Sequence, residues 1–156
     1  MFQPSLTGRA LRLLSSREHS RLELERKLSP FEEEPGALAL VLDALQAKGF
    51  INEARVLASV LHRRAAKRGT ALVRQELQSK GLAPEAVREA VSQLSATEVE
   101  RAAEVWHKKF GEPAASPQEV ARQMRFLASR GFSTDAIRRV VASKTDAPFK
   151  EAFSDE

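Results

Sequence analysis

A short phrase recurs along the chain at intervals of about fifty residues, and no other feature restricts its folding as much. Leu77-Gln78-Ser79-Lys80-Gly81-Leu82 returns as Leu127-Ala128-Ser129-Arg130-Gly131-Phe132, 50 residues on, while Leu24-Glu25-Arg26-Lys27-Leu28 opens a looser version 53 residues earlier. The continuations match as well, with Pro84-Glu85-Ala86-Val87-Arg88 beside Thr134-Asp135-Ala136-Ile137-Arg138. A second register competes, because Lys48-Gly49-Phe50-Ile51-Asn52-Glu53-Ala54 repeats the phrase one helix later. The longer period is preferred, since it divides all 156 residues into three similar units. A unit of that size buries little apolar surface alone, so each must stack on its neighbour. The period is longer than that of tetratricopeptide or ankyrin repeats.

Nearly every segment reads as helix. Ser20 to Glu23, Thr97 to Glu100 and Ser116 to Glu119 each fit a capping box, in which a hydroxyl accepts from a first-turn amide and the acid reaches back. Pro35, Pro84 and Pro117 suit first helical positions, and Gly49, Gly69, Gly81, Gly111 and Gly131 suit left-handed C-terminal caps. Apolar stripes at helical spacing run through Leu38, Val41, Leu42 and Leu45, through Val87, Ala90, Val91 and Leu94, and through Val99, Ala102, Ala103 and Trp106. No stretch alternates with period two. The expected class is all-α, with three tandem three-helix repeats forming an elongated, curved array. Helices are expected at 7–16, 20–28, 35–48, 52–68, 70–80, 84–95, 98–110, 117–130 and 134–143. They group into units 1–50, 51–96 and 97–144, followed by an acidic, flexible tail at 145–156.

Composition bounds the chemistry. Zero cysteines exclude disulfides, thiolate zinc sites and a cysteine nucleophile, and fit a reducing, cytoplasmic setting. The longest apolar run, Ala37 to Leu42, is far short of a membrane span, and Met1-Phe2-Gln3-Pro4 lacks the features of a signal peptide. His19, His62 and His107 are far apart, no metal-binding HExxH pair occurs, and neither a phosphate-loop nor a nucleophile-elbow motif is present. Lys67-Arg68-Gly69-Thr70 imitates the end of a phosphate loop without its strand or preceding glycine. Glu32-Glu33-Glu34 precedes a helix start, where carboxylates favour the dipole. The expectation is a protein without catalysis, metal or cofactor.

Charge is the more informative quantity. The net charge is only +4, yet Arg55, Arg63, Arg64, Lys67, Arg68 and Arg74 lie between Glu53 and Glu76 with no acid among them. A helix end complementing its own dipole accounts for some of these cations but not for the missing counter-acid. The third unit adds Arg122, Arg125, Arg130, Arg138 and Arg139, whereas Asp146, Glu151, Asp155 and Glu156 make the tail acidic. Of 25 cations 17 are arginine, the residue suited to bidentate contact with phosphate or carboxylate. Anionic partners are therefore expected: nucleic acid, an acidic protein surface, or both. Aromatic residues fall mainly at core spacing, which gives no support for a base-stacking platform. A helix-turn-helix reading of Val73 to Val91 fails, because the second helix opens Pro84-Glu85-Ala86 and offers only Arg88 for base contact.

The stretch Arg55-Val56-Leu57-Ala58-Ser59, with Arg63, Lys67-Arg68-Gly69 and Val73-Arg74-Gln75-Glu76-Leu77-Gln78-Ser79-Lys80-Gly81-Leu82, resembles the RecX family of bacterial recombination regulators. Ala10-Leu11-Arg12-Leu13-Leu14-Ser15-Ser16-Arg17-Glu18-His19-Ser20, then Glu23-Leu24 and Arg26-Lys27-Leu28, is similar to that family's N-terminal signature. Lys109-Phe110-Gly111 and Phe126 to Phe132 extend the resemblance, which covers roughly residues 9–143. It implies an array of three-helix repeats lodged in the groove of the RecA–single-stranded-DNA filament. There it would restrain filament extension, ATP hydrolysis, strand exchange and coprotease activity. The implied partners are RecA, single-stranded DNA within the filament and, weakly, free DNA, with the protein acting as a monomer. Arg55, Arg63, Arg64, Lys67, Arg68, Arg74, Arg122, Arg125 and Arg130 are the contact residues expected, with Gln75 and Leu77 holding the repeat together. An autonomous, sequence-tolerant DNA-binding protein is the alternative. Thr70 departs from the family, which often has proline there, as do Phe50 and Asn52-Glu53.

Overall fold

The computed structural model describes residues 3–145, and the expected acidic tail lies outside them from residue 146 on. Among the described residues there are nine α-helices and no strand. They are α1 (Leu6–Ser16), α2 (Arg21–Leu28), α3 (Ala37–Ala47), α4 (Glu53–Arg64), α5 (Thr70–Ser79), α6 (Pro84–Ala96), α7 (Glu98–Lys109), α8 (Pro117–Ser129) and α9 (Thr134–Lys144), with one 3-10 turn at Ser29–Phe31.

Each set of three consecutive helices encloses its own apolar core. Ala10, Leu24, Leu28, Leu38, Leu42, Leu45 and Ile51 form the first. Val56, Val60, Val73, Leu77, Leu82, Val87, Ala90 and Leu94 form the second, and Ala102, Trp106, Val120, Leu127, Phe132, Ile137, Val140 and Val141 lie in the third. The chain is thus an elongated array of three-helix repeats, in which no one cluster spans the molecule. In the third core the buried Gln123 side chain is satisfied: the Trp106 indole N–H donates to its Oε1 at 2.9 Å.

Local grammar held at most helix ends and failed at five. The Ser20 box is complete, with both reciprocal bonds made. At Ser116 only half of it forms, because Glu119 accepts from the Ala115 amide instead. Thr97 caps nothing through its side chain: it is the last residue of one helix end and the first of the next, and its hydroxyl turns back to Leu94 O. Pro35 precedes α3 rather than starting it; Gly36 is the N-cap, and the Glu32 carboxylate accepts from the Leu38 amide at 2.8 Å. The fourth helix stops at Arg64, and a turn over 65–68 replaces its expected last turn.

The fifth failure is at Gly69, and it identifies what joins the units. Gly69 is the extended N-cap of α5 (φ −73°), not a left-handed C-cap. Its N–H donates to Arg130 O at 2.7 Å, and a Cβ there would stand 2.1 Å from the Gly131 backbone. Gly131 (φ +89°) in turn receives Leu72, whose Cγ would be 2.5 Å from an added Cβ. The boundary before it repeats this packing, with Leu22 seated on Gly81 (φ +69°). Leu22 to Leu72 and Gly81 to Gly131 are each 50 residues apart, so the sequence period is also the period of the joints. Gly49, which carried the competing register, has φ +81° but nothing within 4 Å of an added Cβ.

Polar groups close the first joint. Glu23 Oε1 accepts from Lys80 Nζ at 2.9 Å and Glu23 Oε2 from Arg17 Nη2 at 2.8 Å, while Arg26 Nη1 caps α5 at Ser79 O. Burial of Glu23 favours its neutral form, but the hydrogen bonds from Arg17, Lys80 and the Ser20 amide outweigh it and bring the pKa down to about 2.

Two outcomes follow. Gly69→Ala should lower stability in urea by about 3 kcal/mol or more, through overpacking against backbone, whereas Gly49→Ala should cost only about 1 kcal/mol of conformational strain; equal losses would reject the joint. Glu23 is held below its unfolded value, so its contribution is complete above about pH 4.5 and fades as pH falls toward 2. The stability gap between the parent and Glu23→Gln should therefore be roughly 3 kcal/mol at pH 7 and shrink steadily below pH 4.5. A gap independent of pH would show that the pairing does not shift this carboxyl.

Candidate anion-binding interface

The turn after α4 is the part of the molecule where its basic residues and its second joint coincide. The turn begins where four α4 carbonyls run out of helical partners, a place that attracts cations. Arg101, from the next unit, fills that role. Its Nη1 donates to Ala65 O at 2.9 Å and Arg68 O at 2.6 Å, and its Nη2 to Thr70 Oγ1 at 3.0 Å and Leu94 O at 2.8 Å. Its Nε donates to Thr97 Oγ1 at 3.2 Å. All five guanidinium N–H groups are thereby used. Burial lowers the Arg101 pKa and nearby Glu98 opposes that shift, yet arginine stays charged throughout the working range. Glu98 also accepts from the Thr70 amide at 3.1 Å.

Held in this way, the turn presents Lys67 and Arg68 beside the end of α8. Lys67 is exposed, and neither side chain makes an ion pair among the described residues. Arg68 lines a cleft of about 200 Å³ with Arg64, Leu72, Val73 and Glu76. Because Gly69 bonds to Arg130 O and Leu72 packs on Gly131, the basic stretch of the second unit abuts that of the third. Arg122 and Arg125 are exposed on α8, the helix that ends at this joint.

The other candidates are placed differently. Glu76 supplies the counter-acid that looked missing: Arg64 Nε is 3.3 Å from it and Arg63 Nη2 is 4.0 Å away. Arg55 is a structural clasp, its Nε 2.9 Å from Glu18 and its Nη2 donating to Gly49 O at 2.6 Å. Arg74 is exposed on a separate cleft with Gln78, Leu82, Val87, Arg88 and Val91. Leu77 is fully buried, whereas Gln75 is exposed and holds nothing together.

Two features escaped sequence reasoning. In the third unit Phe110 and Phe126 meet edge to face at 5.5 Å, and Lys109, Arg122 and Arg130 lie over these rings at 4.9–5.8 Å. The rings pack on the core while the cations cover them, so cations and aromatics do interleave here, but without an open stacking face. The second is Arg101 itself. Its one signal in the sequence is a cation in the first turn of a helix, where the dipole disfavours it. Among the described residues no helix is long and apolar enough to cross a membrane, and no acid–histidine group could hold a metal.

Residues 96–141 match the family model described as RecX, third three-helix domain. The regulatory protein RecX of Leptothrix cholodnii is 54% identical over 139 residues, covering 89% of this chain and 88% of that one. That of Herminiimonas arsenicoxydans is 44% identical over 144 residues, covering 92% and 95%. The fold matches the crystal structure of RecX from Lactobacillus salivarius with a TM-score of 0.68 at 19% identity, over 88% of this chain and 93% of that one.

Arg101→Met keeps the aliphatic stem but removes every donor. It should cost on the order of 3 kcal/mol and raise amide hydrogen exchange first at residues 65–70. Exchange unchanged in that turn would show that Arg101 does not brace it.

Proposed function

The chain belongs to the RecX family, and from that premise we propose that it binds RecA and the groove of the RecA–single-stranded-DNA filament. There it inhibits filament extension, ATP hydrolysis, strand exchange and coprotease activity. The observation that carries this reading is the second joint, where Lys67 and Arg68, without ion pairs among the described residues, abut the α8 end that carries Arg130. An array of small stacked units presents a long surface, and cations on a braced turn lose little entropy on meeting phosphate or carboxylate. The protein acts by shape and charge, without catalysis or cofactor, as a cytoplasmic monomer whose modules are residues 1–50, 51–96 and 97–144. Lys67, Arg68, Arg125 and Arg130 lead the contact set, with Arg63, Arg64 and Arg122 as further members and Arg74 on a separate cleft; Arg55 drops to a structural role.

Lys67 and Arg125, exposed and without ion pairs among the described residues, also favour a second reading, direct binding of DNA phosphates without RecA. The two readings separate in one experiment. The protein should inhibit RecA-dependent ATP hydrolysis on single-stranded DNA when present at well below one copy per RecA. The triple variant Lys67→Glu/Arg68→Glu/Arg125→Glu should need at least tenfold more protein for the same effect. Absence of inhibition by the parent protein overturns the filament reading. Tight binding to naked DNA at physiological salt, falling steeply as salt rises, would carry the second one.

A further inference from the structure

The first unit has a cleft that the basic joint does not use. It lies between α1, α2 and the 3-10 turn, encloses about 390 Å³, and is lined among others by Gly8, Arg9, Arg12, Leu13, Lys27, Leu28 and Phe31. We propose that this cleft binds an acidic protein segment by taking in one apolar side chain and pairing the flanking carboxylates with Arg12 and Lys27. The proposal goes beyond the function proposed above and stands whether or not that reading does.

The cleft has an apolar interior and a cationic rim. Leu28 is 2% exposed at its floor, and Leu13 is half-buried. Three cations line the cleft and no acid does. Arg12 and Lys27 are exposed and make no ion pair among the described residues; Lys27 Nζ contacts only the ring nitrogen Nε2 of His19, at 3.2 Å. A neutral imidazole leaves the ammonium charge uncompensated. The volume suits one side chain of leucine or phenylalanine size with part of its backbone, and a few convergent charged groups around an apolar hole are the usual form of a recognition site. Arginine forks match carboxylates in pairs.

Nucleic acid fits less well. The one aromatic ring lining the cleft, Phe31, already has one face covered by the Arg9 guanidinium at 3.8 Å, so a base would have to compete with that cation there. An adjoining cleft shares Arg9 and Phe31 and is lined by Glu32, Glu33 and Glu34. A continuous phosphate chain leaving the site on that side would meet three carboxylates, whereas a short acidic segment can end before them.

The test uses the full chain and a labelled peptide, Glu-Asp-Phe-Leu-Asp-Glu, followed by fluorescence anisotropy. Binding should weaken at least tenfold for Gln-Asn-Phe-Leu-Asn-Gln, which lacks charge, and for Glu-Asp-Ser-Gly-Asp-Glu, which lacks the anchor. Arg12→Glu and Lys27→Glu should each weaken it at least fivefold. Gly8→Leu fills the cleft and should abolish binding while the thermal midpoint stays within a few degrees of the parent's, because the helix propensity gained offsets the tight 3.3 Å approach of its Cβ to the capping Ser5 Oγ. Lys67→Glu/Arg68→Glu should leave binding unchanged. No binding of the acidic peptide, binding lost only in Lys67→Glu/Arg68→Glu, or full retention in Gly8→Leu would each overturn the proposal. So would an oligothymidylate that binds more tightly than the peptide and is released by Arg12→Glu.

Discussion

Everything above the level of a single three-helix unit depends on how closely two backbones approach at Gly69 and Gly131. Each apolar core has fewer than ten fully buried residues, too few to hold a large body together. The units must therefore gain stability from their boundaries. At the second boundary side chains are pared away until a main-chain N–H reaches a main-chain carbonyl at 2.7 Å. That contact cannot be approximated: any Cβ at Gly69 collides with backbone, which does not yield as a side chain would.

The same closeness organises the electrostatics. A charge is available to a partner only if the fold has not already employed it, and here the employed and unemployed cations interleave in sequence. Arg55 ties α4 to Glu18, Arg26 and Lys80 close the first joint, and Arg101 braces the turn after α4. Lys67, Arg68 and Arg125 at the second joint, like Arg12 and Lys27 in the first unit, are left without ion pairs among the described residues. Net charge says nothing about this division. A total of +4 is compatible with no basic surface at all or with several local ones.

What the sequence revealed was whatever is decided locally. Amphipathic stripes and caps placed nine helices within a few residues, since spacing on one helix determines which face is buried. The phrase ending in Lys80-Gly81 and returning as Arg130-Gly131 made the repeat visible, because both glycines receive a leucine at a joint; the leucines themselves, Leu22 and Leu72, gave no such signal. Gly69 was misread for the same reason in reverse. A glycine after a basic helix end looks alike whether it ends that helix or starts the next, and the deciding contact comes from residue 131. Glu76 and Arg101 were missed because pairing across helices leaves no trace in spacing. The contact set was legible as a list of cations but not as a surface.

Thr70 shows how far the joint is adjusted in this particular chain. The resemblance puts proline at that position in many relatives, and proline suits the first turn of a helix because its missing N–H is not needed there. Here that N–H is needed. It donates to Glu98, and the Thr70 hydroxyl meets Arg101 Nη2 at 3.0 Å, so the first turn of α7 is anchored twice on a single residue. A proline could supply neither group, and Glu98 and Arg101 would then each lose a partner in a half-buried setting. In a chain with proline, the turn that carries Lys67 and Arg68 must be held by other means. The basic surface is therefore a property of the second and third units together, and neither unit alone contains the groups that set its shape.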